Sequence, residues 1–271
     1  MRLLFVGDVM GRSGRQVLDA ELPGLRRELR ADFVVVNGEN AAHGAGITEK
    51  ICEQILAAGA DVVTGGNHSW DRQEIFGYIE RQPRLLRPQN YPAGTPGRGA
   101  AVFTASNQRK VLVMNLMARL FMDPLDDPFA AADRELARHR LGHTIHAAIL
   151  DFHGEATSEK MAMGHYLDGR VSLCVGTHTH VPTADTMILD GGTAYQTDAG
   201  MTGPYNSVIG MDPSAPIQRF TKKIGGGKLN PVEDAATLCG TFVETDDRTG
   251  LARRIEPVRV GGRLSATRPA V

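Results

Sequence analysis

Two histidines stand one residue apart at the end of an apolar run, in the stretch VGTHTHVP. In an extended chain, His178 and His180 would point to the same side, because side chains two positions apart share a face. Two imidazoles on one side, just before Pro182, suggest a shared guest such as a metal ion. A polar turn with two exposed histidines fits the same segment equally well. This segment alone does not distinguish the two interpretations, so evidence from other parts of the sequence is needed.

Four other apolar runs also end in side chains of the kinds that bind metals or transfer protons. Those side chains belong to Asp8, Glu39, Asn40, Asn67, His68, Asp151 and His153. Open α/β sheets bind ligands at the carboxyl ends of their strands, so five such ends would converge on one crevice. Any one of these residues alone could be an ordinary polar group of a loop. The five strand ends together favour a functional site.

The donor atoms at these strand ends have a chemical preference. Oxygens from two carboxylates and two amides, with nitrogens from three histidines, suit Mn, Fe, Co or Zn better than Ca or Mg. Seven donors exceed what one ion needs, since a catalytic ion keeps open positions. Two ions about 3.5–4 Å apart, bridged by one carboxylate, would use all of them. Such a pair binds a phosphate group and lowers the pKa of a bridging water, which supplies a hydroxide nucleophile near neutral pH.

The elements that must position these residues alternate along the chain. Six short apolar runs predict buried strands, and helical patterns lie between several of them. Helices are predicted at Arg12–Leu29, after an N-cap at Thr48, at Ser69–Gln82 and at Pro128–Leu141. This alternation predicts an α/β fold with a partly parallel sheet. We expect one domain that spans residues 1–271.

Two regions depart from the alternation of strands and helices. Pro83–Gly99 contains four prolines and is predicted to be a surface connection. A hairpin is expected from AAVFTAS and KVLVMN, and another from the two apolar runs around the turn DDRTG. The C-terminal third therefore predicts a second, more antiparallel β element.

Length and charge bound the function. The chain has 271 residues and a formal net charge of −1, so it can bury a substantial core and is not suited to a long nucleic acid. No apolar run approaches the roughly 18 residues of a membrane span, and the run in MRLLFVGD is too short for a signal peptide core. Three cysteines without close spacing predict reduced thiols. We expect a cytoplasmic protein with no membrane partner, while homo-oligomer formation stays open.

The order of these motifs resembles that of the calcineurin-like metallophosphoesterases. GDVMG, NGEN, GGNHSWD, DFHGE and GTHTH follow one another as do the Asp-x-His, Gly-Asp, Gly-Asn-His, lone His and Gly-His-x-His elements of that family. Two departures, Met10 in place of a histidine and Glu39 in place of an aspartate, look like the YmdB-like phosphodiesterase subgroup. The similarity extends through NAAHGAGIT, FHGEATSEK and TDAGMTGPYNSVIG and covers nearly the whole chain.

The resemblance implies a fold, a cofactor and an activity. The fold would be a four-layer αββα sandwich of two mixed β-sheets flanked by helices. The activity would be hydrolysis of phosphodiesters, including 2′,3′- or 3′,5′-cyclic nucleotides, with two iron or manganese ions. Asn40 would occupy the position of the histidine that Met10 replaces. One ion would be bound by Asp8, Glu39, Asn40 and His180, and the other by Glu39, Asn67, His153 and His178.

His68 stays outside both sets of ligands. A histidine beside a dinuclear site can donate a proton to the leaving alkoxide, so we expect His68 to be the general acid. Asp71 would orient it if Ser69 opens a helical turn. The alternative is that His68 only forms a hydrogen bond with a neighbour. Asp151 and Asp198 are expected to hold the metal-binding histidines, and His43 to line the crevice.

Two further histidines and three other functions have weaker support in the sequence. His139 and His143 are four residues apart, but we expect them at the cationic end of a helix rather than in a metal pair. A dinucleotide-binding protein is disfavoured, because GDVMGRSG lacks the G-x-G-x-x-G spacing and Asp8 would face the pyrophosphate. A phosphomonoesterase, nucleotidase or RNA phosphodiesterase would use the same metals on another substrate. A low-turnover, nucleotide-sensing scaffold would keep the fold and the ligands, and stays open.

Overall fold

The computed structural model describes residues 1–223 and 227–270, which form thirteen strands and six helices. The strands are β1 (Arg2–Val6), β2 (Phe33–Asn37), β3 (Val62–Thr64), β4 (Leu85–Leu86), β5 (Ala100–Thr104), β6 (Lys110–Met117), β7 (Ala147–His153), β8 (Leu173–Thr177), β9 (Met187–Ile188), β10 (Ala194–Gln196), β11 (Gly203–Pro204), β12 (Ala236–Thr245) and β13 (Ala252–Gly261). The helices are α1 (Gly11–Glu28), α2 (Glu49–Ala57), α3 (Ile75–Arg81), α4 (Pro128–Leu136), α5 (Thr157–Tyr166) and α6 (Ser214–Lys222).

The first sheet combines strands from both halves of the chain. Its order is β11-β12-β1-β2-β3-β4, and β13 pairs with β12. Strands β1 to β4 are parallel, whereas β12 runs antiparallel to β1 from Arg2↔Glu244 to Val6↔Gly240. The predicted C-terminal hairpin is confirmed as β12 and β13. It is not a second element, however, because its pairing with β1 makes it part of the first sheet.

The second sheet is built from the middle of the chain. Its order is β5-β6-β7-β8-β10-β9. Strands β6, β7, β8 and β10 are parallel, while β5 and β9 are antiparallel edge strands. The pairing of Ala100 with Met114 and of Thr104 with Lys110 confirms the predicted hairpin. Both sheets are therefore mixed.

Successive side chains along a strand point to opposite faces of the sheet, and in both sheets the two sets are buried. In β1, Leu3 and Phe5 pack against the second sheet, while Leu4 and Val6 pack under α1 and α2. In β6, Val111 packs between the sheets and alternate residues pack under α4 and α5. Each fully buried side chain of this size contributes roughly 1.5–3 kcal/mol. Three apolar clusters thus separate four layers, and the predicted αββα sandwich is confirmed.

The helices agree with the sequence prediction in part. The helix predicted at Arg12–Leu29 is present as α1, and the Oγ1 of Thr48 accepts from the N–H of Ile51 as an N-cap. The helix predicted from Ser69 begins only at Ile75, because the Ser69 hydroxyl bonds Gly66 and such local bonds compete with a helix.

The helix predicted to reach Leu141 ends at Leu136. A turn follows in which Gly142 has a φ of 74° and Thr144 bonds the backbone of Arg140. His139 and His143 therefore lie beyond the helix rather than in its last turn. Helices α5 and α6 were not predicted from the sequence.

The region of four prolines is more than a surface connection. Within it, β4 extends the first sheet beside β3. The side chain of Arg87 is buried and donates to four backbone carbonyls of the surrounding loop. The prediction that Pro83–Gly99 is only a surface connection is therefore wrong. Backbone carbonyls of the loop supply the hydrogen-bond partners that allow Arg87 to be buried. Within the described ranges, no helix is both long and apolar enough to cross a membrane.

Thr48→Ala is expected to lower the free energy of unfolding by about 1 kcal/mol, because it removes the acceptor for the Ile51 N–H at the start of α2. Thr48→Ser keeps the hydroxyl and should retain most of this stability. Urea unfolding followed by circular dichroism gives the midpoint and slope for both variants. A midpoint for Thr48→Ala equal to that of the unsubstituted protein, at unchanged slope, would contradict the capping role.

Candidate metal centre

The carboxyl ends of the parallel strands meet between the two sheets. The side chain of Asp151 in β7 accepts hydrogen bonds from Asn37 at the end of β2 and Thr64 at the end of β3, which joins one sheet to the other. The donor residues predicted from the sequence lie at or just after these strand ends. They are Asp8 after β1, Glu39 and Asn40 after β2, Asn67 after β3, His153 in β7, and His178 and His180 after β8.

Two groups of side chains in the described part of the chain could each bind a metal ion. Glu39, His153 and His178 form one group, and Asp8, Glu39 and His180 form the other. Within each group, the potential ligand atoms lie within 4.8 Å of one another. Glu39 is the member that these two groups share. The two asparagines complete the arrangement through their contacts with these histidines.

His153 has its ring fixed by a chain of hydrogen bonds. Its Nδ1 lies 2.9 Å from the hydroxyl of Thr177, which donates to Asp151 Oδ1 at 2.6 Å. Because the single hydroxyl proton goes to the carboxylate, Thr177 accepts from Nδ1–H. The Nε2 of His153 then faces Asn67 Oδ1 at 2.8 Å and Glu39 Oε2 at 3.3 Å.

The surroundings of His153 favour a positive charge. Burial alone would lower the pKa of His153, but the carboxylates of Glu39, Asp8 and Asp151 outweigh it and raise the pKa to about 9. With the Nδ1 proton donated to Thr177, the additional proton of the charged ring lies on Nε2. A metal ion bound there would take the place of the proton.

His180 has the same arrangement with other partners. Its Nδ1 lies 2.8 Å from the carbonyl oxygen of Ile209, which can only accept, so Nδ1 carries the proton. Its Nε2 is 3.1 Å from Oδ1 of Asn40, and the amide nitrogen of Asn40 donates to the Gly44 carbonyl. When the ring is neutral, two acceptor atoms therefore face each other at close range. A cation between them would satisfy both.

His178 directs its Nδ1 toward the site, whereas His153 and His180 direct Nε2. Its Nδ1 lies 3.2 Å from Nε2 of His153, while its Nε2 lies 3.4 Å from a carboxylate oxygen of Glu155. Burial first and then the proximity of His153 lower the pKa of His178 to about 3. The ring is therefore neutral, which is the form that binds metals.

Asp8 and Glu39 are buried carboxylates at the centre of the site. Among the residues that the structure describes, Oδ1 of Asp8 has no hydrogen-bond partner. Burial, only partly offset by His180 and His153, raises the pKa of Asp8 to about 6. For Glu39, burial raises the pKa, but His153 and then His68 outweigh it and lower the pKa to about 2. An unpartnered buried carboxylate oxygen costs free energy that a bound cation would recover.

These observations test whether the residues fit metal ions. Each site histidine directs a nitrogen toward the carboxylates, and Asp8 keeps an oxygen free. Oxygen and nitrogen donors without a thiolate suit Mn, Fe, Co or Zn. The site therefore fits transition-metal ions.

The backbone of the two histidines differs from the expectation. Strand β8 ends at Thr177, and His178 and His180 have φ values of 101° and 65°. The chain is not extended here, so the argument that both side chains share one face of a strand is wrong. The left-handed conformations instead allow one histidine to reach each of the two groups.

His68 lies beside the two groups without belonging to either. Its backbone N–H donates to Glu39 Oε2 at 3.1 Å, and its Nδ1 is 2.7 Å from Oδ2 of Asp71. The side chains of His68 and Asp71 are 35% and 43% exposed, so a ligand can reach them. The expected contact between His68 and Asp71 is confirmed, whereas proton transfer by His68 stays a prediction.

The remaining predicted residues act at a distance or stay untested. Asp151 supports a site histidine only through Thr177. Asp198 contacts the backbone and hydroxyl of Thr179 rather than a histidine. His43 is exposed with a φ of 63°, and its role at the crevice stays a prediction.

Sequence reasoning missed three residues of the site. Thr177 and Glu155 lie in the motifs GTHTH and DFHGE. Only the fold shows that their side chains reach His153 and His178. The contribution of Ile209 is a backbone carbonyl, which any residue could supply. No sequence signal could have identified it.

A family model and a relative of known name each match nearly the whole chain. Residues 4–258 match the model of the family described as YmdB-like protein. The chain is 48% identical over 260 residues to a 2′,3′-cyclic-nucleotide 2′-phosphodiesterase from Bacillus subtilis, covering 96% of this chain and 97% of the relative.

Two solved structures resemble this one closely. A hypothetical protein from Thermus thermophilus has a TM-score of 0.90 at 41% identity, covering 97% of this chain and 100% of that chain. A novel phosphatase from Mycoplasma pneumoniae also has a TM-score of 0.90, at 34% identity, covering 96% of this chain and 93% of that chain.

Gly66→Ala is expected to weaken the binding of divalent transition metals by about 10- to 100-fold, a loss similar to that from disturbing the supports of metal ligands. A Cβ at this position would lie 2.1 Å from Glu39 Oε2 and 2.5 Å from His153 Nε2, so both side chains must move. Isothermal titration of the metal-free protein with Mn²⁺ measures the effect.

Gly77→Ala is the matched control for this prediction. A Cβ on Gly77, in helix α3, would have its nearest neighbour at 3.6 Å, and that neighbour is the end of the flexible Arg81 side chain. Its Mn²⁺ affinity should equal that of the unsubstituted protein. If Gly66→Ala also kept full affinity, the crowded space in front of Gly66 would not be the metal centre.

Proposed function

The chain belongs to the YmdB-like protein family, and on that premise we propose that it is a metal-dependent phosphodiesterase that hydrolyses 2′,3′-cyclic nucleotides. The observation that carries this proposal is the pair of donor groups that share Glu39 between the strand ends. The substrate class is supported by the Bacillus subtilis relative, which is named for that activity and is 48% identical over nearly its whole length.

We assign the donors to two ions, iron or manganese. A pair of bound ions would supply a water molecule of lowered pKa and would neutralise charge on the phosphate. Asn40 and Asn67 would add neutral oxygens, so that the protein contributes only the charge of its carboxylates. One ion would be bound by Asp8, Glu39, Asn40 and His180, and the other by Glu39, Asn67, His153 and His178.

The reaction that we propose breaks the bond between phosphorus and the 2′ oxygen. The oxygen of one water molecule joins the phosphorus, the 2′ oxygen leaves with the electron pair of the broken bond, and the phosphate stays on the 3′ oxygen. The product is therefore a nucleoside 3′-phosphate. An alkoxide is a poor leaving group, so a proton must reach the 2′ oxygen as this bond breaks.

His68 is the residue that we assign to this proton transfer. Asp71 accepts a hydrogen bond from Nδ1, which orients the ring. Nε2 is then available to give its proton to the leaving oxygen. The hydrogen bond from the backbone N–H of His68 to Glu39 Oε2 keeps the ring close to the proposed metal ligands.

A substrate panel distinguishes this proposal from the alternatives. A 2′,3′-cyclic nucleotide, a 3′,5′-cyclic nucleotide and a nucleoside monophosphate should be compared in the same preparation. A phosphomonoesterase would prefer the monophosphate. A nucleotide-sensing scaffold would retain bound nucleotide after gel filtration while producing almost no product.

Removal of metal is expected to abolish hydrolysis of 2′,3′-cyclic AMP, and added Mn²⁺ or Fe²⁺ should restore it. Glu39→Ala should lose more bound metal than either His178→Ala or His180→Ala, because only Glu39 serves both groups. Elemental analysis of the purified variants measures this directly. Full activity in verified metal-free protein would refute the mechanism, and two tightly bound ions in Glu39→Ala would refute the bridging role.

His68→Ala is expected to bind metal normally and to lower turnover of 2′,3′-cyclic AMP by about 10²–10⁴-fold. Turnover of bis(4-nitrophenyl) phosphate should fall much less, because 4-nitrophenolate leaves without a proton. Metal content should be measured in the same preparation. Equal losses on both substrates would instead indicate a defect in binding and remove His68 from the acid role.

His165→Ala serves as the control for the histidine substitution. His165 lies exposed in α5 and is outside both donor groups. Its turnover on both substrates should match that of the unsubstituted protein.

A further inference from the structure

A buried lysine lies behind the turn that carries His178 and His180. The side chain of Lys160, in α5, is only 1% exposed, whereas the other lysines in the described ranges are exposed. Its Nζ donates to the carbonyl oxygen of Thr177 and to Oδ2 of Asp198, both at 2.8 Å. Burial of an ammonium group is costly and occurs almost only when the group is paired. A position that retains such a group therefore calls for an explanation.

Asp198 connects this lysine to the turn itself. Its Oδ2 also accepts from the backbone N–H of Thr179 at 3.0 Å and from the Thr179 hydroxyl at 2.7 Å. Its Oδ1 accepts from the N–H of Gly200 at 2.8 Å. Lys160 and Asp198 together bind the residue before His178 and the residue between the two histidines. None of these hydrogen bonds involves the imidazole of His178 or His180.

The turn between these anchors has an unfavourable backbone. Both histidines adopt left-handed φ values, and conformations of this kind in residues other than glycine persist only where the surroundings impose them. We propose that Lys160, acting through Asp198 and the Thr177 carbonyl, is a positioning residue of the metal centre. It fixes the turn so that His178 and His180 reach separate donor groups. This inference rests on the metal centre proposed above.

Gly176 provides the space that Lys160 needs. A Cβ on Gly176 would lie 2.9 Å from Cδ of Lys160 and 1.9 Å from the carbonyl oxygen of Thr197. The aliphatic stem of the lysine therefore passes over a glycine on its way to the turn. Lys160→Met keeps the length of the aliphatic stem and removes the ammonium group together with its hydrogen bonds to Thr177 and Asp198.

The first experiment compares Lys160→Met with a control that is destabilised without touching the turn. Met163→Ala is suitable, because Met163 is buried in the same helix and packs in the outer apolar cluster. Urea unfolding should show that both variants lose stability. For Lys160→Met we expect Mn²⁺ affinity, measured by calorimetric titration, to fall by about 10- to 100-fold. For Met163→Ala we expect it to stay within about twofold of the unsubstituted protein, because its ligands keep their supports.

The electron paramagnetic resonance spectrum of bound Mn²⁺ adds a readout of ligand geometry. At saturating metal, Lys160→Met should have an altered spectrum, while Met163→Ala should have that of the unsubstituted protein. Unchanged affinity and spectrum in Lys160→Met would overturn the proposal. So would equal losses in the two variants, because the effect would then follow general stability.

A milder variant decides the question if Lys160→Met does not fold. Thr179→Val removes one donor to Asp198 at a partly exposed position and leaves the buried pair intact. Weaker Mn²⁺ binding with an altered spectrum would support the positioning role, and unchanged binding would overturn it. If the unsubstituted protein itself bound no Mn²⁺ or Fe²⁺, the proposed function would fail first.

Discussion

Negative charge buried at the strand ends is the constraint on which this structure depends. Asp8, Glu39, Asp151 and Asp198 are each at most 1% exposed, and the charges of Asp198 and Glu39 contribute to raising the pKa of Asp8. Ionised carboxylates in a medium of low dielectric repel each other and lose the solvation of water. The fold is stable only if positive charge or hydrogen-bond donors reach each of them. The two sheets, the turn after β8 and helix α5 all contribute to that compensation.

The four carboxylates are compensated in two different ways. Asp151 and Asp198 are surrounded by donors from the protein, including three threonine hydroxyls, an asparagine amide and a lysine. Asp8 instead retains an oxygen with no partner in the described chain, and Glu39 faces histidine nitrogens. The first two carboxylates hold the site in shape, whereas Asp8 and Glu39 can still bind a ligand. Buried carboxylates thus have a structural role at two positions and a ligand-binding role at the other two.

The sequence contained the fold class and the donor residues for physical reasons. Parallel strands are buried on both faces and so appear as continuous apolar runs, and the polar residue that follows each run marks a strand end. Their convergence follows from sheet geometry. The backbone of VGTHTHVP was mispredicted, because only tertiary contacts impose a left-handed turn there. Lys160 resembles any helical lysine in the sequence, and its burial depends on a glycine and an aspartate from distant segments.

The position of β1 in the first sheet has a consequence for synthesis of the protein. This strand ends at Val6, just before Asp8, and pairs on one side with β2, which soon follows, but on the other with β12, which a ribosome adds much later. During translation, one side of β1 therefore has free N–H and C=O groups that could pair with another nascent chain. The apolar cluster beneath α1 also lacks the side chains of β12 until then.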